Sequence, residues 1–337
     1  MTASALVILT ADPLNAETPL HEQLGVITPT PRHYVRSHFA VPAWPGRLAV
    51  GGAVRRPREY TLAEIEAMSA RSELVTLECA GNGRSFVDPP CPGEQWGLGA
   101  VSTAEWTGVP LADLLAAAEP DARAVEVLFA GADRGTPKDV GREIAFERSL
   151  PITDARTAGA LIAYAMNGER LAPDHGAPLR LVVPGRYGMA SVKWLAEIRV
   201  LDEPFRGFFQ ADRYVIDGRA LDPIAPRAII VSPREGAKLA KRPTRVHGYA
   251  WSGATPVTRV ELSDDGGASW DVVDLAADRG DRAWRQWQHA WTPPSSGEAT
   301  LLARATDATG AQQPLADVRN TLGYMNNAAQ PVRILIG

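Results

Sequence analysis

Thr76-Leu-Glu-Cys-Ala-Gly-Asn-Gly-Arg84 is the most informative stretch of this sequence. A short apolar run, residues 74–77, leads directly into a glycine-rich turn that carries Cys79. Such a junction between a strand and a turn exposes one side chain, and its glycines let the backbone approach a ligand closely. The chain has only two cysteines. A thiol at this position is therefore either a small buried apolar group or part of a reactive site.

The composition is typical of a globular protein with two domains. The chain has 337 residues, of which 45% are hydrophobic and 22% charged, so it is long enough to bury a large core. A net charge of −4 gives no global basic field for nucleic acid. No apolar run reaches the roughly 18 residues that a membrane-spanning helix needs. We therefore expect neither nucleic acid nor a membrane as a partner.

The N-terminus and the cysteines bear on the compartment. Residues 1–10 are mildly apolar but lack a basic n-region and a twin arginine. This predicts a cytoplasmic protein as the chain stands, or a periplasmic one if a leader has been removed. Cys79 and Cys91 flank a loop with glycine and proline, so the sequence leaves a disulfide between them open. Reduced thiols are the simpler prediction in a cytoplasmic setting.

Residues 1–225 predict a mixed α+β domain that begins with a proline-rich, irregular arm over residues 1–45. Thr61 and Glu64 form the pattern of a capping box, and a second helix is expected over residues 110–118. Asn167-Gly168 indicates the turn of a hairpin within residues 161–171. Further strands are predicted at residues 47–50, 74–77, 125–129, 179–183 and, with alternating faces, 191–200. Because helices and strands mix without a βαβ rhythm, we predict α+β rather than a doubly wound parallel sheet.

Residues 226–337 have a different character, and we place the domain boundary near residue 225. No helical pattern occurs there, and short β-rich runs recur with about 8–12 residues between turns. These runs are residues 228–231, 244–251, 257–263, 270–275, 284–291 and 300–305. The pattern predicts an antiparallel β-sandwich of immunoglobulin type, although the paired cysteines of that fold are absent.

No common nucleotide or metal motif occurs in the sequence. GxGxxG, a Walker loop, HExxH, CxxC and CxxCH are absent, and none of the six histidines pairs with another at helical ligand spacing. Several cations stand in loop contexts of the N-terminal domain instead. They are Arg36, His38, Arg84, His175, Arg180, Arg186 and Lys193. Most surface arginines are simply solvated, but arginine beside glycine or proline at a strand end also suits a phosphate or a small oxoanion.

The residues alone leave three interpretations open. Cys79 could be the nucleophile of a Cys–His hydrolase, which needs a histidine base within reach. It could instead be the thiolate ligand of a soft metal whose other ligands come from an organic cofactor. The cations would then bind that cofactor and an anionic substrate. A non-catalytic sandwich protein for adhesion would explain the C-terminal domain but would leave Cys79 and the cations unused.

Five ordered blocks resemble the sulfite oxidase family of molybdopterin-dependent oxidoreductases, in the bacterial type without a haem domain. The blocks are Tyr34-Val-Arg-Ser-His-Phe-Ala-Val-Pro42, Thr76-Leu-Glu-Cys-Ala-Gly-Asn82, His175-Gly-Ala-Pro-Leu-Arg180, Val183-Pro-Gly185 and Gly188-Met-Ala-Ser-Val-Lys-Trp194. The resemblance covers about residues 30–335. It implies a molybdopterin-binding domain at 1–225, an immunoglobulin-like dimerisation domain at 226–337, and a homodimer.

The resemblance also implies roles for individual residues. Cys79 would be the protein's ligand to molybdenum, which one molybdopterin holds through soft sulfur donors. The residues that would bind the pterin and its phosphate are Ser37, His38, Asp133, His175, Arg180, Ser191, Lys193 and, through their backbone, Val35 and Val192. In the substrate pocket, Arg36 would bind the anion, Trp96 would form a wall, and Tyr214 would hydrogen-bond near the metal's equatorial oxo group.

The implied reaction is the oxidation of sulfite to sulfate by a two-electron oxygen-atom transfer. Because the sequence contains no cytochrome b5-like domain, we expect no haem, and the electrons would pass to a separate acceptor. Two positions depart from the family pattern. Ser37 replaces the usual asparagine at a cofactor contact, and Leu322 stands where vertebrate members have an arginine of the anion pocket. The missing arginine leaves open a same-fold enzyme for nitrate, an S-oxide or a carrier-bound sulfur group.

Overall fold

Strands dominate the computed structural model, which describes residues 6–221, 223–317 and 319–337. Within these ranges the α-helices are Leu62–Glu66, Leu111–Ala118 and Ile152–Thr157. Single 3₁₀ turns occur at Leu20–Glu22, Thr30–Arg32, Arg84–Phe86, Pro173–His175 and Gly188–Ala190, and a π-helical turn at Phe208–Asp212. None of the helices in these ranges is both long and apolar enough to cross a membrane. The mixture of a few helices with many strands confirms the α+β prediction.

The first large sheet of the N-terminal domain places Cys79. Its strands, in order, are Glu169–Arg170, Leu161–Met166, Val101–Pro110 and Arg71–Glu78, and Arg180–Val182 also pairs with Leu161–Met166. Arg71–Glu78 pairs antiparallel with Val101–Pro110 along its whole length. Val75 and Leu77 of this strand are buried in apolar packing. Cys79 therefore begins its turn at the end of a fixed, buried strand.

The second large sheet carries Asp133. Its strands, in order, are Arg58–Tyr60, Leu48–Gly52, Leu195–Leu201, Glu126–Gly135 and Ile144–Pro151. Only the pairing of Leu48–Gly52 with Leu195–Leu201 is parallel. The pairing of the last two strands becomes irregular between Ala130 and Arg134. Asp133 lies in this irregular stretch, where a strand can re-aim a side chain away from the regular ladder.

The local signals for helices are confirmed. The Glu64 N–H donates to the Thr61 hydroxyl, and the Thr61 N–H donates to the Glu64 carboxylate, which closes the capping box in front of Leu62–Glu66. Leu111–Ala118 follows Pro110 and buries its leucines in the main core. The short helix Ile152–Thr157 was not predicted.

Several N-terminal strands were predicted near their observed positions, but the long strands Val101–Pro110 and Ile144–Pro151 were not predicted. The predicted ranges 47–50, 125–129 and 179–183 correspond to Leu48–Gly52, Glu126–Gly135 and Arg180–Val182. The hairpin turn at Asn167-Gly168 is confirmed, since Leu161–Met166 pairs with Glu169–Arg170. A further small hairpin, Val215–Ile216 with Arg219–Ala220, follows Tyr214.

The segment before Leu195 departs from the prediction. We predicted alternating faces over residues 191–200, but the strand is Leu195–Leu201. Gly188–Ala190 forms a 3₁₀ turn, and Trp194 has a left-handed backbone with φ 49°. Lys193 therefore does not alternate as part of a strand; it lines an interior cavity. The strand prediction is wrong over residues 191–194.

The N-terminal arm is more regular than predicted. It contains a three-stranded sheet of Val7–Ala11, Leu14–Glu17 and Val35–Arg36, whereas residues 1–5 lie outside the described range. The prolines of the arm lie outside these strands, so they remove no ladder hydrogen bond. Asn15 pairs with Arg36 in this sheet. The prediction of an irregular arm is therefore wrong for these strands, and their pairing fixes Arg36.

The C-terminal domain is a β-sandwich, as predicted. One sheet has the order Arg227–Ser232, Thr244–Trp251, Arg285–Trp291, Asp274–Leu275, and the other Lys238–Leu239, Val332–Ile336, Gly297–Asp307, Val257–Ser263, Asp271–Val272. The predicted strand 270–275 is divided at the buried Val273, because its two halves pair in different sheets. Lys238–Leu239 and Val332–Ile336 were not predicted. The domain boundary near residue 225 stays a prediction.

Candidate functional site

One interior cavity collects most of the predicted site residues. It lies where the arm, the Cys79 turn and the ends of the two large N-terminal sheets meet. The predicted residues that line it are Val35, Arg36, Ser37, His38, Cys79, Asp133, His175, Arg180, Ser191, Lys193 and Tyr214.

Cys79 forms part of the cavity wall and is 7% exposed. Its N–H donates to Ala100 O at 2.8 Å, and its carbonyl accepts from the Asn82 N–H at 2.9 Å, which fixes the turn. Burial raises the pKa of the thiol, and Arg36 opposes that effect. A thiolate here therefore needs a cationic partner, which a soft metal ion supplies. Cys79 and Cys91 are both free thiols, in agreement with the predicted reduced state.

Arg36, His38 and Tyr214 form one hydrogen-bonded group. Arg36 Nη1 donates to Asn15 Oδ1 at 2.9 Å and to the Ser37 carbonyl at 2.6 Å. Arg36 Nη2 lies 3.1 Å from His38 Nδ1, and His38 Nε2 lies 2.6 Å from Tyr214 Oη. Burial, followed by the charge of Arg36, lowers the pKa of His38 well below its usual range, so the ring is neutral. Burial also raises the pKa of Tyr214, which keeps its phenol protonated.

Lys193 is a second cation of the cavity. Its Nζ donates to Ser37 Oγ at 2.7 Å and to the Asp174 carbonyl at 2.8 Å. Burial, followed by the charge of Arg180, lowers the pKa of Lys193 to about 7. Burial likewise raises the pKa of Asp133 to about 7, with Lys193 opposing the change. An anion bound beside Lys193 would therefore hold the ammonium group in its charged form.

Arg180 is the third cation and is 5% exposed. It donates from Nη1 to the His175 carbonyl at 3.0 Å and from Nη2 to the Ser191 carbonyl at 3.2 Å. Its guanidinium carbon lies 4.7 Å from the centroid of the Trp106 ring. Burial lowers the pKa of His175 to about 4, so this imidazole is neutral beside the arginine. His175 Nε2 lies 3.1 Å from Thr30 O in the arm.

The cavity has charge and hydrogen-bonding capacity that the described residues leave unused. Within residues 6–221, 223–317 and 319–337, no carboxylate forms an ion pair with Arg36, Arg180 or Lys193. Three buried atoms at the cavity, His33 Nε2, Asp133 Oδ1 and Arg180 Nε, lack a hydrogen-bond partner. Buried polar atoms are normally paired. These atoms therefore fit a bound group with donors, acceptors and negative charge, and a pterin with a phosphate has that character.

Two predicted site residues do not line the cavity. Trp96 is fully buried in the apolar cluster that also contains Cys79. Its role as a wall of the substrate pocket stays a prediction. Val192 is also fully buried, and its carbonyl accepts from the Leu181 N–H at 2.8 Å. A carbonyl oxygen can accept two hydrogen bonds, so the backbone contact of Val192 stays a prediction as well.

Two of the cationic residues that the sequence placed in loops do not line the cavity. Arg84 donates from Nε to the Leu322 carbonyl at 2.8 Å, and its guanidinium carbon lies 5.4 Å from the Tyr324 ring centroid. Arg186 pairs with Asp154 at 2.5 Å. Both arginines thus bind groups of the protein itself, as most arginines in loops do.

The structure adds residues that the sequence did not identify. Asn15 Oδ1 accepts from Arg36 Nη1 and from the Ser37 N–H, so the arm positions both residues. His33 stacks on Tyr34 with ring centroids 5.3 Å apart, and both side chains line the cavity. Tyr34 begins the first quoted block and His33 directly precedes it, so their position was a usable signal. Nothing around Asn15 in the sequence marks it, because its contacts depend on strand pairing.

The hydrolase interpretation lacks support from this geometry. Within the described parts of the chain, no hydrogen bond joins the Cys79 thiol to a histidine. Burial lowers the pKa of His33, His38 and His175, which makes each a weaker base. The same parts of the chain contain no cluster of three or more side chains that could hold a metal ion by themselves. The thiol is grouped with cations instead.

Two family models match the sequence. The oxidoreductase molybdopterin binding domain matches residues 38–209, and the Mo-co oxidoreductase dimerisation domain matches residues 221–336. The first match contains Cys79 and the three residues Asp133, Arg180 and Lys193 of the cavity. The fold and the site therefore define a molybdopterin-binding oxidoreductase with a dimerisation domain.

Known proteins identify the family. The chain is 34% identical to mitochondrial sulfite oxidase of Rattus norvegicus, over 100% of this chain and 66% of the rat protein. It is 33% identical to an NAD(P)H nitrate reductase of Hordeum vulgare, over 98% of this chain and 42% of that protein. The solved sulfane dehydrogenase SoxCD of Paracoccus pantotrophus is similar with a TM-score of 0.83 and 29% identity, over 97% of this chain and 86% of that chain. The chain belongs to the sulfite oxidase family, and it spans 66% of the length of the mammalian relatives that it matches.

Proposed function

We propose that this protein oxidises sulfite to sulfate, with molybdenum bound by one molybdopterin and by Cys79. The observation that carries the proposal is a buried thiol in one cavity with Arg36, Arg180 and Lys193, which have no carboxylate ion pair among the described residues. A cofactor phosphate and an anionic substrate would together balance these charges. When bound, the cofactor supplies the two-electron oxygen-atom transfer, while the protein supplies position, charge and a dry site.

The cofactor would use the groups that the protein leaves unpaired. Arg180 and Lys193 are the buried cations suited to its phosphate, and Arg180 Nε has no hydrogen-bond partner among the residues that the structure describes. Asp133 Oδ1 and His33 Nε2 would meet the hydrogen-bonding edge of the pterin. The proposed set is Val35, Ser37, His38, Asp133, His175, Arg180, Ser191 and Lys193, with His33 added from the structure.

Arg36 would bind the sulfite anion. Its guanidinium is held by Asn15 Oδ1 and by the Ser37 carbonyl, so its orientation is fixed before a substrate arrives. A preorganised cation loses less side-chain entropy on binding than a mobile one. A fixed position also holds the substrate in one orientation for the reaction.

Tyr214 would donate a hydrogen bond to an oxygen of the substrate. An arginine only donates, and Arg36 Nη2 lies 3.1 Å from His38 Nδ1 and 3.3 Å from His38 Nε2, so we assign the acceptor to the nearer nitrogen, Nδ1. In neutral His38 the other nitrogen, Nε2, then carries the proton and donates to Tyr214 Oη at 2.6 Å. This tautomer, inferred from the hydrogen-bond network, leaves the Tyr214 O–H free to donate into the cavity.

A second candidate function is the oxidation of another sulfur compound, and Leu322 is the observation that favours it. Leu322 and Tyr324 border an open cleft with about 1840 Å³ of empty volume. Tyr324 stacks on Tyr214 with ring centroids 5.3 Å apart, so the cleft lies next to the substrate side of the cavity. An aliphatic residue beside an open cleft suits a sulfur group on a larger carrier, and a sulfane dehydrogenase is among the similar structures.

We also propose a homodimer and a separate electron acceptor such as a cytochrome. Residues 221–336 match a dimerisation domain, which supports an interface formed by the C-terminal sandwich. Analytical ultracentrifugation of the purified protein tests this directly. A monomer at micromolar concentration would overturn the homodimer.

Steady-state assays with the cofactor-loaded protein separate the two functions. Ferricyanide serves as the electron acceptor with sulfite or with a peptide persulfide, and reduced viologen serves as the donor with nitrate or an S-oxide. We expect kcat/KM for sulfite to exceed the others by at least about 100-fold, a typical discrimination for a pocket that pairs a substrate's charge. Slow sulfite turnover with rapid persulfide oxidation would replace the first function by the second.

A further inference from the structure

The turn that carries Cys79 is held to a large extent by the C-terminal domain. On one side of Cys79, the Thr76 N–H donates to Arg282 O at 2.9 Å. On the other side, the Met325 N–H donates to Ala80 O at 2.8 Å. Residues of the C-terminal sandwich and its last loops therefore contact the chain both before and after the thiol.

The contact between the domains with the most hydrogen bonds near Cys79 is at Glu78, which is 2% exposed. Arg227 Nη1 donates to Glu78 Oε1 at 2.9 Å, and Trp251 Nε1 donates to Glu78 Oε2 at 2.8 Å. Asn82 Nδ2, from the turn itself, also donates to Glu78 Oε1 at 2.9 Å. Arg227 and Trp251 belong to the first two long strands of the C-terminal sandwich. One buried carboxylate thus joins both domains.

Arg227 depends on Glu78 for its charge balance. It is 2% exposed, and its one ion pair among the described residues is with Glu78. Its Nε and Nη2 have no partner, and Nη2 lies against the turn, 2.6 Å from where a Cβ on Gly83 would stand. Removing one partner of a buried ion pair leaves an uncompensated charge, which is strongly unfavourable. The pair therefore holds the strand end and the turn in one position.

Side-chain alternation connects this contact to the thiol. Successive residues of a strand point to opposite faces, and Glu78 points into the domain contact while Cys79 points into the cavity. A movement of the strand end that releases the Glu78 carboxylate must also displace the Cys79 sulfur. Asn82 shares the carboxylate, so the turn beyond Cys79 would move as well.

We propose that Glu78, Arg227 and Trp251, the Glu78 network, position the Cys79 thiol for the metal. The C-terminal domain is then part of the cofactor site as well as a dimerisation domain. Glu78, Arg227 and Trp251 are positioning residues, because they act through Cys79 and do not line the cavity. The inference rests on the proposed function in that it takes Cys79 as the metal ligand.

Alkylation of Cys79 in the cofactor-free protein tests the network without using activity. A Cys91→Ala background leaves Cys79 as the single thiol of the chain. Glu78→Gln, Arg227→Met and Trp251→Phe each remove one element of the network in this background. Trp251→Phe removes a single neutral hydrogen-bond donor. It therefore still tests the network if Glu78→Gln and Arg227→Met do not fold because they change a buried charge.

Tyr249→Phe is the matched control. Tyr249 lies two residues before Trp251 on the same strand, and its hydroxyl is shared across the domain contact between Gln23 O at 3.0 Å and Gly25 O at 3.1 Å. The control thus removes inter-domain hydrogen bonding that does not reach the Cys79 turn.

We expect iodoacetamide to label Cys79 at least about tenfold faster in each single network variant, because Glu78→Gln and Arg227→Met break a buried ion pair and Trp251→Phe removes a hydrogen bond to a charged group. Tyr249→Phe should label within about threefold of the background. The double variant Glu78→Gln/Arg227→Met should be slower than either single variant, since it leaves no unpaired charge. Equal labelling of the network variants and the Tyr249→Phe control would overturn the proposal.

The loaded protein gives a second readout. The thiolate-to-metal absorption should shift in Trp251→Phe and stay unchanged in Tyr249→Phe, whereas a merely structural role would lower thermal stability in both without a shift. An unshifted band in Trp251→Phe would count against positioning. Failure of the metal assignment shows separately, as a thiolate-to-metal absorption that is unchanged in Cys79→Ser, and does not affect the labelling result in cofactor-free protein.

Discussion

The carboxylate of Asp133 is 4% exposed, and its Oδ1 has no hydrogen-bond partner. Burial raises its pKa from 3.8 to about 7 in the cofactor-free protein. The folded protein therefore keeps this proton over a pH range in which the unfolded chain has released it. By linkage, the contribution of Asp133 to stability is fully present below about pH 4 and is lost as the pH rises through about 7.

Asp133→Asn isolates this contribution, because asparagine keeps the shape of the side chain and does not ionise. The change in pKa corresponds to roughly 4 kcal/mol at about 1.36 kcal/mol per pH unit. Urea unfolding of cofactor-free wild type and variant between about pH 4 and pH 8 should therefore show wild type losing about that much relative to Asp133→Asn. Glu143→Gln, at an exposed carboxylate, is the control.

Cofactor loading should remove most of this pH dependence. Donors of the pterin would bind the ionised carboxylate and lower its pKa again. A pH-independent difference between wild type and Asp133→Asn in the cofactor-free protein would refute the reasoning from burial. A difference that persists unchanged after loading would remove Asp133 from the cofactor site.

Three further substitutions test the substrate side. Arg36→Gln should raise the apparent KM for sulfite about 10–100-fold, which is the range of a lost hydrogen bond to a charged group. The molybdenum content of this variant should stay near that of the wild type. Loss of molybdenum would instead place Arg36 with the cofactor. Tyr214→Phe should lower kcat by about tenfold or more with little change in KM, and an unchanged kcat would exclude a role for the phenol. Leu322→Arg should lower the KM for sulfite, and an unchanged KM would show that this side chain does not reach the substrate.

Local signals predicted the fold well wherever a few neighbouring residues decide the structure. The capping box at Thr61 and the apolar face of Leu111–Ala118 are of this kind. Val332–Ile336 and the arm strands were missed because short strands form through partners distant in sequence. The split of residues 270–275 at Val273 likewise depends on which sheet each half joins.

The candidate site was predicted mainly through the family blocks. Composition and spacing alone left Cys79 open between a nucleophile and a metal ligand. The blocks identified most of the residues that line the cavity, but they did not show that Trp96 is fully buried in the apolar cluster that contains Cys79. Asn15 and the Glu78 network were beyond sequence reasoning, since a buried carboxylate and an arginine 149 positions apart meet only through the packing of two domains.

Molybdenum analysis of the wild type and of Cys79→Ser, combined with a sulfite-dependent change in the visible spectrum, tests the central assignment most directly. We expect stoichiometric molybdenum in the wild type and a spectrum that sulfite alters. Cys79→Ser should remain folded and dimeric, and sulfite should leave its spectrum unchanged. Wild-type sulfite oxidation by Cys79→Ser, or by protein free of molybdenum, would contradict the assignment of Cys79 as the metal ligand of a sulfite-oxidising site.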